Sequence, residues 1–189
     1  MDHYMIIQEL LKYMKGDYTT KCCEGIGDKN NPKYMLVGIS GGRLGCIQTG
    51  VPFTKDASGK LLIRVLHELG YTHSLEWDEN PIYNNIYVTN IVKGVILDPD
   101  GNNRIPSESE INYWVPSFKR EIDQVKPKVI VAIGRIVSDT FRNIGIRHTL
   151  SIKHPSYYAR NGALGKSRAS WSEMLTEYTA ILGINKHNV

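Results

Sequence analysis

Four features of this 189-residue chain could take part in chemistry. His154 stands before Pro155, which biases it to extended backbone on a loop. An imidazole there can steady negative charge on a leaving group, although a loop histidine by itself is as a rule a solvated side chain. Asn90 follows the run Asn85-Ile-Tyr-Val-Thr89 and offers both an amide donor and a carbonyl acceptor, enough to read the edge of a heterocycle; the commoner use of such an Asn is to cap a loop. Phe53 is either a stacking face or an ordinary core aromatic. The turn Gly38-Ile-Ser-Gly-Gly-Arg-Leu-Gly45 is bare enough for its backbone to approach a phosphate or a flat base. Its spacing misses G-x-G-x-x-G because Ser40 replaces the first glycine. The chain also runs on into Gln48-Thr-Gly-Val-Pro-Phe53 instead of a helix, which argues against a dinucleotide fold.

These residues must be held by a sheet. Tyr34-Met-Leu-Val-Gly-Ile39, Asn85–Thr89 and Lys128-Val-Ile-Val-Ala-Ile133 are short apolar runs without polar alternation, as strands buried on both faces require. Between them lie segments of helical spacing. Ile6, Ile7, Leu10, Leu11 and Met14 mark a docking helix over Tyr4–Lys15, and Leu61, Leu62, Val65, Leu66 and Leu69 mark another, stopped by Gly70. Ser107-x-x-Glu110 is a capping box that opens a helix with Ile111, Trp114, Val115, Phe118, Ile122 and Val125 on its buried stripe. Pro116 predicts a kink or break inside it, and Ile136–Phe141 begins a further helix. Alternating strands and helices predict a three-layer α/β/α sandwich around a mainly parallel four-stranded sheet, built as one domain over residues 1–189. Such sheets bind ligands at the carboxyl ends of their strands, which puts Ser40, Asn90 and Gly134 at one rim.

Composition narrows the class. With 41% hydrophobic and 22% charged residues, wholesale disorder and coiled coil are excluded. No apolar run reaches the roughly 18 residues a membrane span needs, and the N-terminal stretch lacks a small-residue cleavage site, so the expectation is an unprocessed cytoplasmic protein. A net charge of +4 is too small to name a partner, but six cations and no acid lie between Asp139 and Glu173, leaving the rest of the chain at −2. Cys22, Cys23 and Cys46 are an odd count with adjacent members, so buried free thiols are expected rather than a disulfide framework.

The ordered set Val37-Gly38, the Gly-rich turn, Thr49-Gly-x-Pro-Phe53, Gly59-x-Leu-Leu, Val88-Thr-Asn90-x-x-Lys93, Asn103-Arg-x-Pro106, Glu110, Pro127-Lys-Val-Ile-Val131, Gly134 and His154-Pro-Ser156 resembles the uracil-DNA glycosylase superfamily, nearest its thermophile-type branch. The likeness runs from about residue 34 to residue 160. It implies a DNA glycosylase that extrudes and excises a base; the expectation for this chain is a monomer without a cofactor, acting in repair or in defence against modified phage DNA. Phe53 would stack the base, Asn90 would read it within a wall of Gly38, Ile39, Gly41 and Gly42, His154 would stabilise the departing base, and Ser40 would place water. Ser156, Tyr157, Tyr158, Arg160, Lys166 and Arg168 would meet the DNA, with aromatic planes filling the gap and cations neutralising phosphates.

Three departures qualify the likeness. Relatives carry Glu, Asp or Asn in the first turn where this chain has Ile39 and Ser40, and Asp56 is a candidate substitute. The pair Gly41-Gly42 replaces a usual Pro and opens the C5 side of the pocket to a modified pyrimidine. Thermophile-type relatives hold a four-cysteine iron-sulfur cluster, whereas Gly94 and Tyr113 occupy two of its ligand positions here, so no metal is expected. The missing carboxylate keeps a second reading in play, a module that binds modified bases without cutting them. A nucleotide-binding domain rests on the glycine turn alone.

Overall fold

In the computed structural model the described residues are 23–147 and 149–185; the helix expected over Tyr4–Lys15 and the residue Cys22 lie outside them. In chain order the elements are β1 (Ile26–Gly27), β2 (Tyr34–Gly38), α1 (Cys46–Thr49), α2 (Ala57–Glu68), β3 (Ile86–Asn90), α3 (Glu108–Val125), β4 (Val129–Ile133), α4 (Arg135–Asn143), β5 (Thr149–Ile152), α5 (Pro155–Arg160) and α6 (Arg168–Leu182). The sheet order is β1-β3-β2-β4-β5. Strands β3, β2, β4 and β5 are mutually parallel, as expected. A fifth strand, the two-residue β1, adds antiparallel to the edge of β3.

Side-chain alternation along the strands builds two cores. Leu36, Val88, Val131, Ile133 and Ile152 face Leu62, Leu66, Met174 and Tyr178, so α2 and α6 cover one face. Met35, Val37, Tyr87 and Ala132 face Phe118, Val137 and Phe141, so α3 and α4 cover the other. This is the three-layer α/β/α arrangement, with strands buried on both faces as their continuous apolar runs require. No helix of the described residues is long and apolar enough to cross a membrane.

Local outcomes follow from specific residues. Helix α3 opens on the expected capping box: Glu110 N donates to Ser107 Oγ, and Ser107 N donates to Glu110 Oε2 at 2.7 Å. It runs unbroken through Pro116, so of the expected kink or break the break does not occur. The proline lies on the exposed side, while buried Trp114 and Phe118 hold the helix to the core on either side of it. The Gly-rich turn does enter one short helical turn, α1, before Phe53. Cysteine is also corrected: Cys23 and Cys46 are not separate thiols but a bonded pair, their Cα atoms 6.2 Å apart and both buried with Val95.

Candidate active site

The parallel strands deliver their carboxyl ends to one cavity of about 700 Å³, within the roughly 300–1,000 Å³ of ligand pockets. Its wall includes Ile39, Ser40, Gly41 and Gly42 after β2, Asn90 from β3, Gly134 after β4, and His154, Ser156 and Arg160 after β5. Phe53 and Asp56 complete it from the connection between α1 and α2. Gly38 pairs with Asn90 in register. A side chain at Gly38 would run into Asn90 Oδ1 and into the Phe53 ring edge, 2.6 Å from Cζ, so glycine there keeps these two groups in place.

Asn90 is 1% exposed, and its Oδ1 is buried without a hydrogen-bond partner. An unpaired buried acceptor costs about 1–3 kcal/mol of folding free energy and marks a place where a donor from outside the chain would be welcome. The backbone behind it is fixed. Lys93 Nζ donates to the Asn90 carbonyl at 2.7 Å, to Thr89 Oγ1 and to Glu121 Oε2, while Tyr87 and Thr89 hydroxyls donate to Glu121 Oε1. The Lys93 and Glu121 side chains are only 8% and 15% exposed. Lys93→Met would therefore leave the largely buried Glu121 carboxylate without its cation, held by two hydroxyls alone, and should destabilise the fold by about 3–5 kcal/mol. Chemical denaturation would show the loss as a lower midpoint, and an unchanged midpoint would contradict this role.

Phe53 has a left-handed backbone, φ 52°. A non-glycine residue held there is costly and persists only when its surroundings impose it. They do: Gly59 in α2 lies so close that a Cβ would stand 2.5 Å from the Phe53 carbonyl carbon, and the Thr49 and Thr54 hydroxyls meet at 2.6 Å beside it. The Phe53 ring centroid lies 5.8 Å from that of His154, with the planes inclined by 42°.

His154 caps α5. Its Nδ1 accepts from Ser156 N at 3.1 Å and lies 2.9 Å from Ser156 Oγ, which in turn receives Arg160 Nη1 at 3.4 Å. A backbone N–H can only donate, so Nδ1 is unprotonated and the neutral ring carries its proton on Nε2. Burial, reinforced by the Arg160 charge, pulls the His154 pKa down from 6.5 to about 4. Gly134, at φ 93°, allows this approach, since a Cβ there would stand 3.2 Å from His154 Cβ.

Asp56 is the residue that sequence reasoning undervalued. One oxygen, Oδ1, caps α2 by accepting from Gly59 N at 2.8 Å. The other, Oδ2, lies 2.6 Å from where a Gly42 Cβ would be. Burial raises its pKa, against the lowering effect of the backbone hydrogen bonds from Gly59 and Ser58. The glycine pair thus has a packing use beside the one expected. Missing side chains at Gly42 and Gly41 make room for the Asp56 carboxylate and for the Cys23–Cys46 sulfurs, respectively; both backbones still line the cavity.

The expected DNA-facing residues separate. Ser156 and Arg160 reach the cavity, and Tyr157 is 40% exposed. Tyr158, however, is fully buried, its hydroxyl donating to Glu177 Oε2 at 2.6 Å, so its ring is unavailable to a nucleic acid. Lys166 and Arg168 are exposed but stand off the cavity wall. Two cations of the acid-free segment are paired within the fold, Arg142 with Asp139 and Lys153 with Glu173 at 2.7 Å. Sequence reading also passed over Arg135, on the cavity wall with its side chain 93% exposed.

The donor set does not fit a four-cysteine cluster. The sequence holds three cysteines, two of them paired with each other, and among the described residues no three His, Cys, Asp or Glu side chains are placed to hold a metal.

A sequence model of the uracil DNA glycosylase superfamily matches residues 24–178. The type-5 uracil-DNA glycosylase of Thermus thermophilus is 30% identical over 151 residues, 77% of this chain and 66% of that protein. The type-5 enzyme of Pyrobaculum aerophilum is 27% identical over 78% of the chain and 64% of its own length. For the type-4 uracil-DNA glycosylase of Archaeoglobus fulgidus the figures are 28%, 74% and 63%. The chain spans just under two thirds of the length of these relatives.

Proposed function

The chain belongs to the uracil-DNA glycosylase superfamily, and on that footing we propose that it is a monomeric DNA N-glycosylase that hydrolyses the bond between uracil and deoxyribose. The observation that carries this reading is the partnerless, buried Asn90 Oδ1 beside the Phe53 ring. Uracil supplies what that atom lacks, an N–H donor on its edge, next to an oxygen that can accept from the Asn90 amide. The base would stack on Phe53 after extrusion from the helix. As the C1′–N1 bond breaks, its electron pair moves into the base, and the Nε2–H of neutral His154 donates to the base oxygen where the charge collects. A water then adds its oxygen to C1′. Asp56 Oδ2 takes the water proton, and the Ser40 hydroxyl, on the same cavity wall, orients the nucleophile. Arg135 and Arg160 supply positive charge for phosphates beside the cavity.

Asp56→Asn tests the assignment of the base, because Asn retains the helix cap but cannot accept the proton. Single-turnover excision should fall on the order of 10²-fold with KM little changed. Wild-type rates from Asp56→Asn, with loss in Ser40→Ala instead, would move water activation to the serine.

A second reading of the substrate is a C5-modified pyrimidine, such as 5-hydroxymethylated or glucosylated cytosine of invading phage DNA. Cavity volume and the glycine backbones at the wall favour it. Incubation with duplexes carrying uracil, mispaired thymine and these modified cytosines, followed by detection of alkali-labile abasic sites, decides between them. Strong preference for uracil over all the others removes the second reading.

A further inference from the structure

Ile105 is an isoleucine 60% exposed on the wall of the cavity. A solitary exposed apolar side chain means little on a loose loop, but this one is held out by a fixed backbone. Arg104 is bidentate to Glu110, at 2.8 and 2.7 Å, and also donates to the Leu97 carbonyl and, at 3.3 Å, to that of Ile105 itself. Arg104 N donates to Ile96 O at 3.0 Å, and Pro106 on the other side is buried. The same Glu110 belongs to the capping box of α3. Ile105 is thus clamped from both neighbours with its side chain outward. A second exposed aliphatic stands on an adjoining segment: Leu44, 58% exposed, on the turn tied to this one by Arg43 N donating to Asn103 Oδ1 at 2.9 Å.

If a base is to enter the cavity, the duplex must lie across its mouth, and what stands at the rim then meets the stack from which the base has left. Extrusion opens a gap between flat apolar faces, and an aliphatic side chain that fills it offsets the cost of unstacking. A pre-fixed side chain does so with little ordering cost of its own. We propose that Ile105 is a wedge that enters the base stack beside the extruded nucleotide, flanked by Leu44, a DNA contact separate from the His-Pro-Ser segment. This rests on the glycosylase reading.

The test uses the target base that the wild type releases fastest, presented either paired in a duplex or unpaired in a one-nucleotide bulge. A wedge matters where pairing and stacking must be broken. Ile105→Ala should lose about tenfold or more on the paired target and stay within about twofold on the bulged one, as an exposed substitution would. Ile105→Leu should keep the wild-type ratio. Equal losses on both targets, or none on either, overturn the wedge and leave the glycosylase intact. Wild-type protein that makes no abasic site on any target defeats the glycosylase reading itself, and the wedge with it.

Discussion

Asn90→Ala should reduce excision of uracil by on the order of 10³-fold, since the base would be held in a dry pocket with its edge unpaired and each unmade hydrogen bond there costs about 1–3 kcal/mol. The same change should not lower Tm. In the free protein Asn90 Oδ1 satisfies nothing, so its removal relieves an unpaired buried acceptor, and that gain offsets the small cavity left behind. Loss of activity without loss of stability distinguishes a residue kept for a ligand from one kept for the fold. Single-turnover kinetics and thermal unfolding of the same preparation would show it; a large drop in Tm would assign Asn90 to the fold.

His154→Ala should cost about 10²–10³-fold, the usual effect of deleting one donor to a developing oxyanion. A pH profile tests the protonation state behind that role. With its pKa pulled down to about 4, the ring stays neutral over the ordinary range, so the rate should be flat from pH 8 to near 5 as far as His154 is concerned. It should fall as pH drops through about 4, where protonation at Nδ1 would set a donor against Ser156 N–H. Arg160→Gln removes a positive neighbour and should move the inflection upward. The sign for stability is the same: unfolded histidine takes up its proton near 6.5, so whatever His154 contributes to stability is complete above that pH and is lost as pH falls toward 4. An inflection near 6.5 in the wild type would contradict a buried, neutral ring.

Much of the fold was legible because the central strands are buried on both faces and therefore read as unbroken apolar runs: Tyr34–Gly38, Ile86–Asn90 and Val129–Ile133. Strand Thr149–Ile152 was not, because it forms the outer edge of the sheet and only Ile152 is buried. Ile26–Gly27 is too short to leave any periodicity. At the site, His154, Asn90 and Phe53 could be found from their motifs, and they meet in one cavity. Asp56 was harder to see for a physical reason. An aspartate three residues before Gly59 at the head of a helix reads as a cap, which it is; that its second oxygen fills the space left by Gly42, fourteen positions earlier in the chain, depends on how the intervening loop folds back. Tyr158 was misread for the opposite reason. Pro155 starts a helix of only six residues, and within it neighbouring tyrosines point apart, one to solvent and one into the core. The Lys93–Glu121 pair joins a loop residue to a helix residue 28 positions further on, and no local pattern announces it.

The most direct measurement is the formation of alkali-labile abasic sites in a uracil-containing duplex by the wild type and by His154→Ala under single-turnover conditions. The account predicts abasic sites from the wild type and a loss of about 10²-fold or more from the variant. Tight binding of the duplex by wild-type protein with no abasic site formed would contradict it, and would make the chain a base-recognising module in place of an enzyme.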